Sequence, residues 1–499
     1  MRFSFVGPSY TLQSLTAECE RTINLYPERI ESGRGKNSEG LWLMGTPGLK
    51  LFCALPVHTD WEPPQTVQKM FSAFNGRAFA IAGSVLWELH ADGTYTALAT
   101  LNSATGRYSV ASNGPQVLIV SDGSAWLMNE YNIVMPVSGG ELPVQVAGID
   151  GYFITLKKDS RQFQISGLLD GTAWDGLDFA LAEGSGDNLI AIFADHRELW
   201  AFGRTRIEVF YDSGDPDFPF TRIQGAFIEQ GCIASDSVAK LDNSIVWLGG
   251  DERGKGIAWR ANGYVPQRIS NHGVETAWAR YPRIDDAIGW SYQDYGHQFY
   301  VLHFPSADPN PLVVAGLNED YSYRGATWVL DASTGMWHER LAWNAEVGVW
   351  EGHRGRWFCY AFDKHLVGDW KNGNIYEMSA EYFDDAGDPK RWSRTCPHIS
   401  DEQRWMFYHQ LQVDMQAGVG LAVGQGSDPQ MYLEVSSDGG FTWGPALAAS
   451  MGKIGQTKWR AIWRRLGRSR DRVFRVSGSD PVKTALVDAY LQASGGNGA

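Results

Sequence analysis

Val117-Leu-Ile-Val-Ser-Asp-Gly-Ser-Ala-Trp-Leu-Met128 decides the fold class. Two runs of apolar residues flank Ser121-Asp-Gly-Ser124, whose Asp-Gly pair tolerates the left-handed backbone that a tight hairpin needs. The same form recurs in both directions along the chain. Phe79-Ala-Ile-Ala82 precedes Val85-Leu-Trp-Glu-Leu89, Tyr152-Phe-Ile-Thr-Leu156 precedes Arg161-Gln-Phe-Gln-Ile165, and Leu199-Trp-Ala-Phe202 precedes Arg206-Ile-Glu-Val-Phe-Tyr211. Ile245-Val-Trp-Leu248 is matched with Ile257-Ala-Trp-Arg260, Phe299-Tyr-Val-Leu302 with Thr327-Trp-Val-Leu330, and Trp357-Phe-Cys-Tyr360 with Asn374-Ile-Tyr-Glu-Met378. From Phe79 through Val117, Phe153, Leu199, Val246 and Tyr300 to Phe358 the spacings are 38, 36, 46, 47, 54 and 58 residues. The early spacings match the period of propeller blades and the later ones fit blades with loop insertions. A four-stranded sheet with two apolar faces cannot cover itself, whereas blades stacked about an axis cover one another. The reading is all-β: a β-propeller of six or seven blades over residues 61–384. A string of β-sandwiches is the competing architecture.

Two flanks depart from this rhythm. Residues 1–60 carry turn formers such as Glu31-Ser-Gly-Arg-Gly-Lys-Asn-Ser-Glu-Gly40 and few paired runs, and read as a surface-running N-terminal arm. Residues 385–499 read as a separate β-sandwich-like unit, with strands near 407–415, 431–435, 458–465 and 473–476. Charge is concentrated there. Lys453 to Asp488 sums to +7 on a chain whose net charge is −14, leaving −21 for the remainder. Such a stripe on an acidic protein suggests an electrostatic contact surface, and Arg460, Arg464, Arg465, Arg468, Arg470 and Arg472 are the candidate interface residues. Strand alternation places Trp459, Ala461 and Trp463 on one buried face and Lys458, Arg460 and Arg464 on the other. A nucleic-acid surface, with Trp459 and Trp463 stacking on bases, is the competing use of the stripe.

Composition narrows the function. Hydrophobic content of 43% with 20% charged residues excludes a disordered chain. No apolar run is long enough for a membrane-spanning helix, and Met1-Arg-Phe-Ser-Phe-Val-Gly-Pro8 lacks a signal-peptide core, so a soluble protein is expected. Five scattered cysteines without C-x-x-C exclude a disulfide framework and a cysteine-based zinc module. Ser436-Ser-Asp-Gly-Gly-Phe-Thr-Trp443 fits the Asp-box of sialidase-like propellers, a turn in which Asp438 accepts backbone amides and Trp443 packs beneath. One copy outside the repeats nominates no acid and nucleophile for sugar hydrolysis. Asp285-Asp286 and Asp384-Asp385 read as turn residues, and His353, His365, Asp363 and Asp369 lack metal-ligand spacing. No catalytic residue, metal or cofactor is expected.

Two further stretches carry a family resemblance. One is Ser4-Phe-Val-Gly-Pro-Ser-Tyr10 running into Cys19-Glu-Arg-Thr-Ile-Asn-Leu-Tyr-Pro-Glu28 and Gly45-Thr-Pro-Gly-Leu49. The other is Ser437-Asp-Gly-Gly-Phe-Thr-Trp443 with Trp463-Arg-Arg-Leu-Gly-Arg-Ser-Arg-Asp-Arg-Val-Phe-Arg475 and Ser479-Asp-Pro-Val482. The chain resembles the tail hub, or packaged-DNA stabilisation, proteins of short-tailed bacteriophages. The resemblance implies a virion protein made in the host cytoplasm, assembled as a ring, usually sixfold, below the portal and its adaptor. Such a ring closes the head, retains packaged DNA, and carries the needle, fibres or spikes. It implies no catalytic residues, and makes the basic strands and the N-terminal arm contacts for other subunits or the adaptor. The runner-up from another class is a carbohydrate-binding or glycoside-cleaving propeller.

Overall fold

In every blade the second strand is apolar on both faces, and that property fixes the architecture. In the computed structural model, which describes residues 3–32, 40–57, 65–103, 106–184, 186–251, 253–309 and 325–495, Ala78, Ala80 and Ala82 pack with Trp357, Cys359 and Leu366, while the intervening Phe79 and Ile81 pack with Val117 and Ile119. The next blade repeats the division. Val117 and Ile119 face backwards, whereas Leu118 and Val120 face forwards onto Val146 and Phe153. One strand thus serves two interfaces, which only stacked sheets around an axis provide.

Seven four-stranded units are present among the described residues. Blades 1 to 5 span 67–100, 109–137, 143–181, 189–228 and 239–268, blade 6 spans 288–339, and blade 7 spans 355–379 completed by Gly48–Ala54. The hairpin turns are as read. Asp122 and Gly123 take φ of 47° and 85° between the paired Ser121 and Ser124, and Asp150–Gly151 does the same. In blade 7 the two anticipated runs are not partners: strand Lys364–Asp369 lies between Gly355–Ala361 and Asn374–Ser379. The only α-helix among the described residues, His272–Trp278, begins at Asn271, whose Oδ1 caps the amide of Val274, and buries Val274 and Trp278 before blade 6.

The N-terminal arm is not a surface-running segment. Gly48–Ala54 adds antiparallel to Asn374–Ser379 as the outer strand of blade 7 and so joins the two ends of the ring. Earlier residues build the sandwich: Leu25–Arg29 and Leu41–Gly45 belong to one of its sheets, and Phe5 and Val6 lie in its core with Tyr408, Leu411 and Phe474. Cys19–Ile23 sits between Met336–Glu339, the outer strand of blade 6, and Trp392–Thr395 of the sandwich, so one sheet runs from propeller to sandwich. Leu25–Arg29 and Leu41–Gly45 pair with each other, but the partners that tie Cys19–Ile23 and Gly48–Ala54 to the rest of the fold lie more than 300 residues away, which composition does not show. Most of the turn-rich stretch Glu31–Gly40 falls outside the described residues.

The second sandwich sheet has the order 25–29, 41–45, 485–495, 406–415, 461–464. The first therefore lies against the propeller, with Tyr26 and Met44 packed on blades 6 and 7, and the last is the far edge.

Between blades 6 and 7 lies a buried polar layer. Arg340 is buried, donates to the Tyr292 hydroxyl at 2.7 Å, and lies over the rings of Tyr292 and Phe299. His303 accepts from the Trp290 indole on Nε2 at 3.1 Å, so its proton is on Nδ1, facing Thr327 Oγ1 at 2.9 Å. Burial and the nearby Arg340 push His353 down to about 3, and burial likewise lowers His303 and His338.

Two outcomes follow for stability. A Cβ on Gly48 would stand 2.4 Å from the Tyr382 carbonyl and 2.5 Å from that of Asp384. Gly48→Val is expected to cost about 3 kcal/mol in denaturant unfolding and to open the closing strand to limited proteolysis; a variant as stable and resistant as the parent contradicts the closure. Neutral His353 means that, between about pH 6 and 4, the unfolded chain binds a proton that the folded chain does not, so this residue costs stability as pH falls. His353→Gln is expected to gain on the parent by about 1.4 kcal/mol per pH unit over that range, read from unfolding curves; a pH-independent difference contradicts a neutral buried imidazole.

Candidate functional site

The far edge of the sandwich carries the basic stripe, and its arginines divide by what they touch. The strand Ala461–Arg464 pairs with Met406–Met415, Arg464 standing opposite Gln410. At Arg465 the backbone turns left-handed, with φ 62°, so that its amide reaches the His409 carbonyl at 2.8 Å and Leu466 dips into the core. The chain then pairs again, Arg468 opposite Phe407. Arg460, Arg464, Arg465, Arg468 and Arg470 are all exposed. Arg460 reaches Gln412 at 3.4 Å. Among the described residues Arg464, Arg465, Arg468 and Arg470 enter no ion pair.

Arg472 belongs to the interior instead. It is 4% exposed, donates to the Leu466 carbonyl at 3.1 Å, and lies 4.7 Å over the Tyr408 ring. Burial lowers its pKa. The reason is alternation along Asp471–Gly478, which turns this arginine inward, where the ring covers its cationic face. Arg475 is likewise engaged, bidentate to Glu434 at 2.8 Å and stacked 4.0 Å from the Trp443 ring.

The tryptophans also divide. Trp463 is buried, with its indole donating to the Leu447 carbonyl at 2.7 Å. Trp459 is 46% exposed, because the strand begins only at Ala461 and the alternation does not extend back to it. A third aromatic was missed by reading the stripe alone: Trp405, exposed, with the guanidinium carbons of Arg468 and Arg470 at 4.8 and 5.1 Å from its ring centre. Phe407 is exposed beside it. The residues Trp405-Met-Phe407, with buried Met406 between two exposed aromatics, were the available signal.

The polar residues near the N-terminus do not form an outward face. Arg394 is fully buried and donates to the carbonyls of Phe5 and Pro8 at 2.7 and 3.0 Å, to Thr22 Oγ1 at 2.9 Å, and to Glu20 at 2.6 Å. Arg21 is bidentate to Glu339 of blade 6 at 2.7 and 2.6 Å. Asn24, at φ 55°, lets the chain step from one sandwich sheet to the other, while its side chain holds Leu341 and Arg391. These groups are spent within the chain.

The remaining candidates are structural in their contacts. In the Asp-box, Asp438 accepts from the Thr442 amide at 2.9 Å and from Ser436 Oγ at 2.7 Å. Slight burial opposes ionisation, but the bonds from Thr442 and Ser436 prevail and bring Asp438 down to about 2. Trp443 stacks on Arg475, and its ring also lies against the turn at Gly440, where an added Cβ would stand 3.8 Å from it. Asp285 pairs with Arg283, Asp286 accepts from Ser306, and Asp385 bridges to Leu49 of the closing strand. His353 bonds Gly355, His365 packs among Tyr292, Phe358 and Tyr360, and Asp369 accepts from Tyr376, so the four residues do not converge. Asp363 faces only the Tyr360 hydroxyl, at 3.5 Å. A cleft of about 1100 Å³ between blades 4 and 5 and the segment 278–285 is lined by both signs of charge, including Arg204, Glu229, Arg253 and Asp285.

Arg394→Met is expected to destabilise the chain by about 3–5 kcal/mol, because it leaves Glu20 and two carbonyls unpaired, with part of the loss recovered by adding Glu20→Gln. Calorimetric or denaturant unfolding checks this; an unchanged stability removes the guanidinium as the tie between N-terminus and sandwich.

Against solved structures the chain is similar to a virginiamycin B lyase from Staphylococcus aureus, at 10% identity over 65% of this chain and 97% of that one, with a TM-score of 0.41. It is also similar to a streptogramin B lyase, at 9% identity over 67% and 98% with a TM-score of 0.43, and to the N-terminal domain of Nup159, at 9% over 72% and 98% with a TM-score of 0.40. No curated protein matches by sequence. Two family models do: the β-propeller of bacteriophage P22 Gp10 over residues 39–310, and the β-sandwich of the same protein over residues 391–494. With both parts matched, and the propeller model alone covering more than half its length, the chain belongs to the bacteriophage P22 Gp10 family of short-tailed phage tail proteins.

Proposed function

We propose that this chain is the tail hub and head-closure component of its virion, assembled from copies of itself into a sixfold ring below the portal–adaptor assembly. The ring forms in the host cytoplasm, retains the packaged genome, and anchors the needle, fibres or spikes. The observation that carries this reading is the row of exposed, unpaired arginines at the far edge of the sandwich on a chain of net charge −14. Exposed charges contribute little to the stability of a monomer, so four unpaired guanidiniums on one edge are better placed for a partner of opposite sign. The continuous sheet from blade 6 into the sandwich supports the same reading, because it holds that edge at a fixed position relative to the propeller. A predominantly acidic body also suits a channel wall that repels DNA phosphates and lets the genome pass.

Arg464→Glu with Arg465→Glu is the direct test. The expected monomer keeps its circular dichroism and stays within about 1 kcal/mol of the parent in unfolding, yet sediments as free subunits and is not incorporated into particles. Normal rings and particles from this variant contradict the role of the arginine edge.

A further inference from the structure

Blade 3 exposes a strip of apolar side chains that the propeller does not use. Leu168 and Leu169 are more than half exposed, Leu177 is 82% exposed, and Phe179 and Leu181 stand out from the outermost strand, Phe179–Leu181. That strand is three residues long and ends its sheet, so its outer edge has no strand partner among the described residues. Apolar groups concentrated in this way mark a contact surface.

The strip is also acidic. Asp170, Asp175, Asp178 and Glu183 are interleaved with the leucines, and none enters an ion pair among the described residues. Asp170 and Asp175 each turn Oδ1 to their own loop, receiving Thr172 and Leu177 amides at 2.9 Å.

We infer that this acidic, apolar rim of blade 3 seats the arginine edge of the next copy of the chain. The inference rests on the ring reading above and names the two surfaces that meet. Their chemistry is complementary: unpaired carboxylates among leucines on one side, unpaired Arg464, Arg465, Arg468 and Arg470 around exposed Trp405 and Phe407 on the other. Either surface set against itself juxtaposes like charges, which disfavours a two-fold contact.

Their placement is what a head-to-tail contact requires. The sandwich attaches at blades 6 and 7. Blade 3 is three blades from blade 6 by way of 5 and 4, and three from blade 7 by way of 1 and 2, so it lies across the axis from the attachment. The arginine strand is four strand spacings beyond the sandwich strand nearest the propeller, about 19 Å farther out. The arginines stand at the sandwich edge remote from the propeller and the acidic rim on the blade across the axis from the attachment, so the two surfaces are distinct, and repetition of such a heterologous contact closes a ring when the rotation allows.

The test uses the full chain, whose five native cysteines are all buried. Leu177→Cys and Phe407→Cys placed in one chain are expected to yield, with a short bismaleimide, a ladder of covalent oligomers. Mixing the two single variants is expected to give dimers, and either alone none. In parallel, Asp175→Arg with Asp178→Arg, and Arg468→Glu with Arg470→Glu, are each expected to weaken ring formation at least tenfold by sedimentation, and the combined variant to restore it. Rings without a ladder, dimers from Leu177→Cys alone, or no restoration in the combined variant would overturn the pairing while leaving the ring itself standing. An unmodified chain that forms no ring at any concentration, alone or with its portal-side neighbours, would overturn both.

Discussion

A sheet that is apolar on both faces must be covered on both faces, and this requirement governs the whole molecule. Each blade meets it through its neighbours, with alternate residues of one strand assigned to opposite junctions, as Phe79 and Ala80 show. The arrangement is complete only if the last blade meets the first. Gly48–Ala54 provides the joint by adding to Asn374–Ser379, while Cys53 and Leu55 enter the core shared by blades 7 and 1. The same segment, followed towards the N-terminus, builds two strands of one sandwich sheet, and Cys19–Ile23 with the short Tyr10–Thr11 joins the other. The segment that closes the propeller therefore also builds the sandwich, and a shared sheet joins the two.

Charge is used in two ways in this body. Inside, Arg394, Arg21 and Arg472 are fixed by carbonyls, carboxylates or a ring face, and they set the chain path. Outside, the arginines from Arg464 to Arg470 and the carboxylates from Asp170 to Glu183 enter no ion pair among the described residues. Groups of the first kind determine where those of the second kind point. Arg472 illustrates the link: by holding the Leu466 carbonyl it anchors the turn that presents Arg464 and Arg465. A building block needs this combination, a rigid interior and unspent complementary edges, and needs no reactive pocket.

Much of this was legible in the residues. Hairpins such as Val117–Met128 are local, and a turn with Asp-Gly between apolar runs specifies its own partner. Blade 7 was legible only in part, because the Phe362-Asp363 turn that precedes Lys364–Asp369, left-handed at both residues, carries no glycine. The role of residues 3–54 was not legible: Leu25–Arg29 and Leu41–Gly45 pair locally, but the partners of Cys19–Ile23 and Gly48–Ala54 lie hundreds of residues away and leave no local sign of the pairing. At the basic stripe, composition located the surface but could not rank the arginines. Which of them face outward depends on where the strand begins, at Ala461, and on the left-handed turn at Arg465. Trp405 lay outside the stripe altogether and joins it only through the pairing of Met406–Met415 with Arg468–Ser469.

We propose that this chain acts by shape and assembly, as a rigid subunit with two unlike contact surfaces. Electron cryomicroscopy of the purified full chain, alone and with its portal-side neighbours, tests it most directly. A closed ring is expected, in which each sandwich lies between its own propeller and the next, with arginines at the junction. A monomer under all these conditions, or a symmetric pair joined through identical faces, would contradict it.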